Sequence, residues 1–165
     1  SRQETDAEHA WHLAVMCALL SEYSNEKIDV AHTMLMVLMH DLVEIDAGDT
    51  YAYDEKGYET KPQREQAAAK RIYGILPGEQ GQKLCALWEE FEAGETDDAK
   101  FANAVDRVQP FWGNFSVCGR VWKENGIEAA QGIRRNEVTK EIMPKVWDTV
   151  YEQIQQAVEN GWLKG

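Results

Sequence analysis

The sequence predicts an all-α protein that folds as a single bundle of about six to seven helices. Apolar residues recur at spacings of three and four along most of the chain, and no segment sustains the period of two that indicates a strand. Glycine and proline fall between these periodic stretches, as expected where helices end. The chain has 165 residues, of which 44% are hydrophobic, so one domain can bury a sizeable core without disulfide bonds.

The first two helices are predicted before a long loop. One should run from about Asp6 to Tyr23, capped by Thr5 or by its own first residue, and the next from about Asp29 to Asp46, stopping near Gly48. The second helix is apolar over most of its circumference, which favours a central position. Residues 48–60 lack periodicity and carry three tyrosines, so we expect a loop beside a functional site.

The rest of the chain predicts further helices with shorter connections. The last of them contains Pro144, which could bend or restart it, and its apolar face suggests a partner helix from a second subunit. We therefore expect a homodimer. One domain should span residues 1–165, with its functional core at about 5–110 and C-terminal helices at about 115–162. The predicted helices are Pro62 to Tyr73, Gln80 to Ala93, Asp97 to Gly113, a short piece at Phe115 to Asn125, and Asn136 to Asn160.

The net charge of the chain argues against nucleic acid as a partner. Lys and Arg number 17 and Asp and Glu number 29, which gives a formal net charge of −12. This argues against binding nucleic acid, because a nucleic-acid backbone needs a basic surface. It does not argue against a small phosphate ester, since a bound metal ion can reverse the local sign of the potential.

Several features indicate a cytoplasmic protein without membrane contact. No run approaches the roughly 20 apolar residues of a membrane span, and no signal-peptide pattern opens the chain. Cys17, Cys85 and Cys118 lie far apart among apolar residues, which favours buried, reduced thiols. Because the chain lacks an initiator Met and motif residues begin at Arg2, we also expect a preceding N-terminal segment.

A His-Asp pair at the end of an apolar run is the strongest sign of chemistry. Adjacent helical residues point about 100° apart, so His40 and Asp41 do not fit one ordinary buried stripe. A buried carboxylate costs several kcal/mol unless a cation is near. Lys and Arg are absent from the whole stretch Asp29–Gly48, so a bound metal ion is the natural partner.

Two further candidate ligands lie on predicted buried stripes, His9 in the first helix and Asp106 in the fifth. Each alone is weak evidence, because a lone histidine is more often a hydrogen-bonded core residue. Together with His40 and Asp41 they form a set of two imidazoles and two carboxylates that balances one divalent ion. This set suits Mn²⁺, Fe²⁺, Co²⁺, Ni²⁺ or Zn²⁺.

The order and spacing of these residues resemble the HD-domain phosphohydrolase superfamily, which is named for such a His-Asp pair. Two longer motifs resemble the branch of small HD proteins that act as 5′-deoxynucleotidases. The likeness covers roughly residues 2–110. The motifs are His40-Asp41-x-x-Glu44-x-x-x-Gly48-Asp49 and Arg2-x-Glu4-x-x-x-Glu8-His9.

The resemblance implies a hydrolase of deoxyribonucleoside 5′-monophosphates with one divalent ion on the four ligands. Glu44 matches an acidic residue that assists proton transfer with water, and Asp49 matches a residue at the sugar end of the pocket. Arg2 matches an arginine that helps position Glu4, Glu8 or the phosphate. The family's arginine and tryptophan contacts to phosphate and base lie upstream of His9, outside this sequence, so phosphate binding is left without an explanation.

Other interpretations stay open from the residues alone. One alternative is a broader phosphatase or phosphodiesterase. The others are a regulatory module that binds nucleotide and metal without turnover, and a helical interaction protein with a vestigial site. A dinuclear site is disfavoured because no histidine follows His40. We interpret His12 as a support for the site or a packing residue, Phe111-Trp112 as core or dimer contact, and Arg134-Arg135 as a solvated helix start.

Overall fold

The computed structural model describes residues 4–50, 53 and 55–165, and over these residues the chain is all-α, as predicted. No strand occurs among them; one isolated parallel bridge joins Glu128 and Lys164. No helix in the described ranges is both long enough and apolar enough to cross a membrane. The helical segments outnumber the expected six or seven because two of the predicted helices are interrupted and a further helix, at Ala129–Asn136, was not predicted.

Helix α1 begins where the sequence supplies a cap. It runs from Asp6 to Leu20 and continues as a 3₁₀ turn at Ser21–Tyr23. The Thr5 hydroxyl accepts from the backbone N–H of Glu8, while the Glu8 carboxylate accepts from the Thr5 N–H at 3.1 Å. This reciprocal pair fixes the first turn of the helix, the turn that carries His9.

The second predicted helix is broken at its functional end. Helix α2 spans Val30–Met39, a 3₁₀ turn follows at His40–Val43, and α3 spans Glu44–Ala47. The prediction of a single helix from Asp29 to Asp46 was therefore wrong for its second half. The backbone leaves regular α geometry at Met39, with φ −106° and ψ −18°. A 3₁₀ stretch between helices often occurs at a functional site.

Helix α4 spans Glu55–Tyr73 and begins earlier than predicted, so part of the expected loop 48–60 is helical. Pro62 lies inside this helix instead of opening it. The early turns are formed because α4 packs on α3, on the 3₁₀ turn and on α5, and these contacts outweigh weak local propensity. The Tyr73 hydroxyl donates to the Met39 carbonyl at 3.0 Å, which satisfies an acceptor at the break in α2.

The helices predicted at Gln80 to Ala93 and Asp97 to Gly113 are found close to these bounds, whereas the short piece expected from Phe115 begins only at Arg120. Helix α5 spans Glu79–Ala93, α6 spans Asp97–Ser116 after the cap Thr96, and α7 spans Arg120–Asn125. Helix α6 packs against α1, α2, α5, α8 and α9, so it lies at the centre of the bundle. Its inward face carries Phe101, Val105 and Val108, all fully buried.

The predicted last helix is two helices, and a further helix that was not predicted precedes them. Helix α8 spans Ala129–Asn136, α9 spans Val138–Ile142, and α10 spans Pro144–Glu159 with its proline at the first position. Arg134 and Arg135 therefore lie in the last turn of α8, and their predicted place at a helix start was wrong.

The apolar face of α10 is covered by the chain itself. Val146, Val150 and Ile154 are buried, and α10 packs against α6, α8 and α9. The sequence pattern that suggested a partner helix from a second subunit is thus satisfied within one chain. The homodimer stays a prediction.

Glu90 joins three helices near the site. Its carboxylate accepts from the Thr96 hydroxyl at 2.6 Å and lies 2.8 Å from Nε2 of His32, at the start of α2. Burial opposes ionisation of Glu90, but the hydrogen bonds from Thr96 and His32 outweigh it and hold the pKa of this carboxyl below its usual value.

The lowered pKa of Glu90 gives a pH-dependent contribution to stability. Ionised Glu90 stabilises the fold above its unfolded pKa of 4.5, and this contribution is lost as pH falls through the lower folded value. Glu90→Gln should reduce the free energy of unfolding by up to about 1 kcal/mol in neutral buffer and by less in acid. Urea unfolding of both proteins measures this, with the exposed Glu95→Gln as control. An equal effect in both buffers would contradict the ionic contribution.

Candidate metal centre

Four side chains from three separate elements converge on one point. His9 comes from α1, His40 and Asp41 come from the 3₁₀ turn after α2, and Asp106 comes from α6. Oδ1 of Asp106 lies 3.1 Å from Nε2 of His9 and 3.6 Å from Nε2 of His40. The carboxylate of Asp41 lies 2.9 Å from Nε2 of His40 and 3.7 Å from Nε2 of His9.

These separations suit ligands of a single ion. Donors bound about 2.0–2.2 Å from one ion lie about 3.0–3.4 Å apart, depending on the coordination angle. Donor atoms of His9, His40 and Asp41 all lie within 4.8 Å of one another. Asp106 joins them through its two short distances to the imidazoles. The donor set, two nitrogens and two carboxylates, fits a first-row divalent metal.

Each imidazole is oriented by a partner on its other nitrogen. Nδ1 of His40 donates to the Val37 carbonyl at 2.8 Å, which leaves Nε2 facing the carboxylates. Nδ1 of His9 lies 3.6 Å from the Glu4 carboxylate. Such partners fix the ring and the tautomer of a metal-binding histidine.

Gln109 holds Glu4 in this position. Its buried side-chain amide lies 3.0 Å from Oε1 of Glu4 and 3.0 Å from Nδ1 of His12. His12 thus contacts the residue that supports Glu4, as expected for a residue that supports the site.

The charges of the cluster shift its pKa values strongly. Burial disfavours the charged form of His40, but hydrogen bonds and charges from Asp106 and Asp41 outweigh burial and raise its pKa to about 10. The pKa of His9 is raised for the same reasons, and hydrogen bonds from both imidazoles lower the pKa of Asp106 in spite of its burial. A metal ion would have to displace protons from these rings in order to bind.

Glu44 and Asp49, the two predicted catalytic carboxylates, line the same cleft. Glu44 opens α3, and burial, followed by the charges of Asp41 and Asp49, raises its pKa to about 8. Asp49 is exposed and follows Gly48, which ends α3 with φ +76° and ψ 142°. Only glycine adopts this conformation without strain, so Gly48 sets the direction in which the chain leaves the helix.

Arg64 of α4 fastens the loop that carries Asp49. Its guanidinium donates to the carbonyls of Ala47 and Gly48, to the Thr50 hydroxyl at 2.8 Å, and to the Gly57 carbonyl at 3.4 Å. One side chain therefore ties the end of α3, the following loop and the start of α4 together. Sequence reasoning missed this residue because its contacts depend on how α4 packs beside α3 and the loop, which local sequence patterns do not show.

The cleft is lined by more residues than the sequence predicted. It encloses about 580 Å³, within the usual size for small-molecule sites. Besides the predicted residues it is lined by Lys61, which pairs with Glu65 at 3.2 Å, and by residues of α6, α7 and α8. The sequence interpretation missed the α8 residues because α8 itself was missed. The predicted residue Arg2 lies outside the described residues.

A model of the HD domain family matches residues 1–147. The chain belongs to the HD domain family. The resemblance drawn from the His-Asp pair is thereby confirmed, and the match extends beyond residue 110 into the C-terminal helices.

The HD domain chain is similar to both a solved structure and curated proteins. It is 41% identical to a predicted metal-dependent phosphohydrolase from Magnetospirillum magnetotacticum MS-1, with a TM-score of 0.94 over 100% of this chain and 83% of that one. It is 30% identical over 108 residues to 5′-deoxynucleotidase HDDC2 of Homo sapiens and 29% identical to that of Mus musculus. These matches cover 66% of this chain and 52% and 53% of the relatives, so the chain spans about half their length.

Removing either a histidine or a carboxylate from the cluster should abolish metal binding. We expect His40→Ala and Asp106→Ala to lose the bound divalent ion, because each removes a donor and leaves the remaining charges unbalanced. Elemental analysis after dialysis and a Mn²⁺ titration measure this. His32→Ala is the control, because His32 contacts Glu90 instead of the cluster. Unchanged metal content in folded His40→Ala and Asp106→Ala proteins would refute the site.

Loss of the Arg64 guanidinium should loosen the loop. Hydrogen bonds from a charged donor contribute about 1.5–3 kcal/mol, so Arg64→Gln should speed amide exchange at Gly48–Thr50 by about tenfold or more. Hydrogen-exchange mass spectrometry compares it with Lys70→Gln, an exposed position of the same helix. Equal exchange in the two variants would show that the loop is held by other contacts.

Proposed function

We propose that this HD domain is a metal-dependent phosphohydrolase that releases phosphate from deoxyribonucleoside 5′-monophosphates. The observation that carries the proposal is the convergence of two oriented imidazoles and two carboxylates in a cleft of nucleotide size, with Glu44 beside them. The names of the similar proteins support the same activity. Because the chain spans about half the length of the curated relatives, their activity is part of the proposal.

His9, His40, Asp41 and Asp106 would hold one divalent ion, namely Mn²⁺, Fe²⁺, Co²⁺, Ni²⁺ or Zn²⁺. When bound, such an ion would lower the pKa of a water molecule to about 7 and would polarise a phosphoryl oxygen. The two aspartates balance its charge. The contacts of Val37 and Glu4 to the two Nδ1 atoms leave both Nε2 atoms free to bind such an ion without reorientation of the rings.

Glu44 is the proposed proton-transfer residue. Its half-buried carboxyl has a pKa of about 8, so in this environment it exchanges protons near neutral pH. It would accept a proton from the attacking water or supply one to the leaving 5′-oxygen. A carboxyl with an ordinary pKa would be a poorer proton donor.

Asp49 is the proposed sugar contact. It lies in the cleft on the loop fastened by Arg64, where a carboxylate can accept a hydrogen bond from the 3′-hydroxyl and disfavour a 2′-hydroxyl. Arg2 is proposed to help position Glu4, Glu8 or the substrate phosphate.

The setting of the enzyme is also proposed from its chemistry. The three cysteines are free, which fits a reducing cytoplasm. Cys17 is buried as expected, but Cys85 is half-buried and Cys118 is exposed, so the expected burial was wrong for these two. The net charge of −12 favours a small-molecule nucleotide over nucleic acid. We expect a homodimer without membrane contact.

A nucleotide panel tests the reaction. Protein loaded with Mn²⁺ or Co²⁺ should release phosphate from dAMP, dGMP and dUMP faster than from their ribose counterparts. Glu44→Gln should lower kcat by about 10²-fold or more while it retains metal, because it removes a proton-transfer group. Asp49→Asn should narrow the preference for deoxyribose.

Several outcomes would count against the proposal. No phosphate release from any nucleotide in the presence of metal would refute it. Nucleotide-induced stabilisation without product would indicate a regulatory module instead. Faster release from unrelated phosphate esters than from dAMP would indicate a broader phosphatase.

A further inference from the structure

Arg135 is a cation in the cleft with no partner in the described part of the chain. It occupies the last turn of α8, is half-buried and lines the cleft. Within residues 4–50, 53 and 55–165, its side chain makes no hydrogen bond and no ion pair. Lys61, another cation of the cleft, is by contrast held by Glu65 at 3.2 Å.

An arginine in this state favours an anionic ligand. Partial burial removes water from the guanidinium, and in a chain with 29 acidic residues a merely structural arginine readily finds a carboxylate. The planar guanidinium offers donors in a fork that matches the oxygens of a phosphate.

Arg107 connects this position to the candidate metal centre. It follows Asp106 directly on α6 and also lines the cleft. Its Nη1 donates to the backbone carbonyl of Arg135 at 3.5 Å, at the C-terminal end of α8. The Arg107 guanidinium therefore lies against the backbone of Arg135, and Arg107 is the sequence neighbour of Asp106, a proposed metal ligand.

Asn136 is the second, independent sign of a ligand on this wall. It lines the cleft and is only 1% exposed, and its Nδ2 donates to the Gly132 carbonyl at 2.9 Å. Its Oδ1 is buried and has no partner among the described residues. An amide oxygen accepts from a hydroxyl or an amine, so this wall of the cleft holds a buried hydrogen-bond acceptor that the described residues leave unsatisfied.

We propose that Arg135, with Arg107, binds a phosphate group of the substrate on the wall of the cleft formed by α6 and α8. This rests on the proposed function and deepens it, because it assigns the phosphate contact that the predicted residues do not supply. In the proposed monophosphate substrate this is the phosphate next to the sugar; a contact to a second phosphate would instead favour a deoxyribonucleoside diphosphate. The two cases share the same chemistry and differ in the nucleotide they favour.

A binding experiment with a neighbouring arginine as control tests this site. Arg135→Gln and Arg135→Lys are compared with Arg134→Gln, which makes the same charge change at an exposed position of the same helix turn. Calorimetry with Mn²⁺ present measures affinity for dAMP, dADP, deoxyadenosine and inorganic phosphate. Nucleotides are titrated in a Glu44→Gln background, so that they are not consumed.

Arg135→Gln should lower the affinity for each phosphate-bearing ligand by about tenfold or more, which is the loss expected when a charge-assisted hydrogen bond is removed. Arg134→Gln should change affinity by less than about twofold, and deoxyadenosine binding should not change. Equal losses of affinity for dAMP and dADP would show that the arginines contact the phosphate next to the sugar. A loss of affinity for dADP alone would show that they contact the second phosphate. Arg135→Lys, which keeps the charge without the fork, should fall between wild type and Arg135→Gln.

Unchanged affinity of folded Arg135→Gln for dAMP, dADP and inorganic phosphate would overturn the proposal. So would an equal loss for deoxyadenosine, because the residue would then contact the nucleoside. The failure of the proposed function is a separate result. A wild-type protein that binds inorganic phosphate through Arg135 but hydrolyses no nucleotide would refute the function and leave the anion site standing.

Discussion

The structure depends on holding two carboxylates and two imidazoles together in a partly buried place. Asp41 and Asp106 would repel each other, and burial alone would cost each of them several kcal/mol. The shared contacts to His9 and His40, between 2.9 and 3.7 Å, are what make the arrangement tolerable. Because the four residues come from α1, the turn after α2, and α6, these helices must pack in one fixed relation.

Residues outside the cluster provide hydrogen-bond partners for the polar groups around it. The break after α2 turns the chain at His40, and the Tyr73 hydroxyl binds the Met39 carbonyl at that break. Gln109 on α6 holds Glu4, which in turn faces His9 on α1. The bundle core and the site are thus built from the same helices, and a change in helix packing would move the candidate ligands.

How far the sequence predicts the molecule follows from which forces act locally. Caps and apolar periodicity are local, so α1, α5 and α6 were predicted almost to the residue, and His9, His40, Asp41 and Asp106 could be selected as one set. The break at Met39 and the early start of α4 depend on contacts between distant segments, which a propensity argument does not contain. Arg64 and Arg135 were missed for the same reason: their positions are meaningful only once loop 48–50 and α8 are placed in space.

Part of the negative charge in the cleft has a specific partner, so the net charge of −12 does not by itself prevent an anion from binding there. Eight carboxylates and three cations line the cleft. A divalent ion would balance Asp41 and Asp106, Lys61 pairs with Glu65, and burial raises the pKa of Glu44, which disfavours its charged form. The guanidinium of Arg135 is paired with none of them in the described residues. Net charge therefore argues against a long polyanion that must contact the whole surface, but not against one phosphate held by short-range contacts.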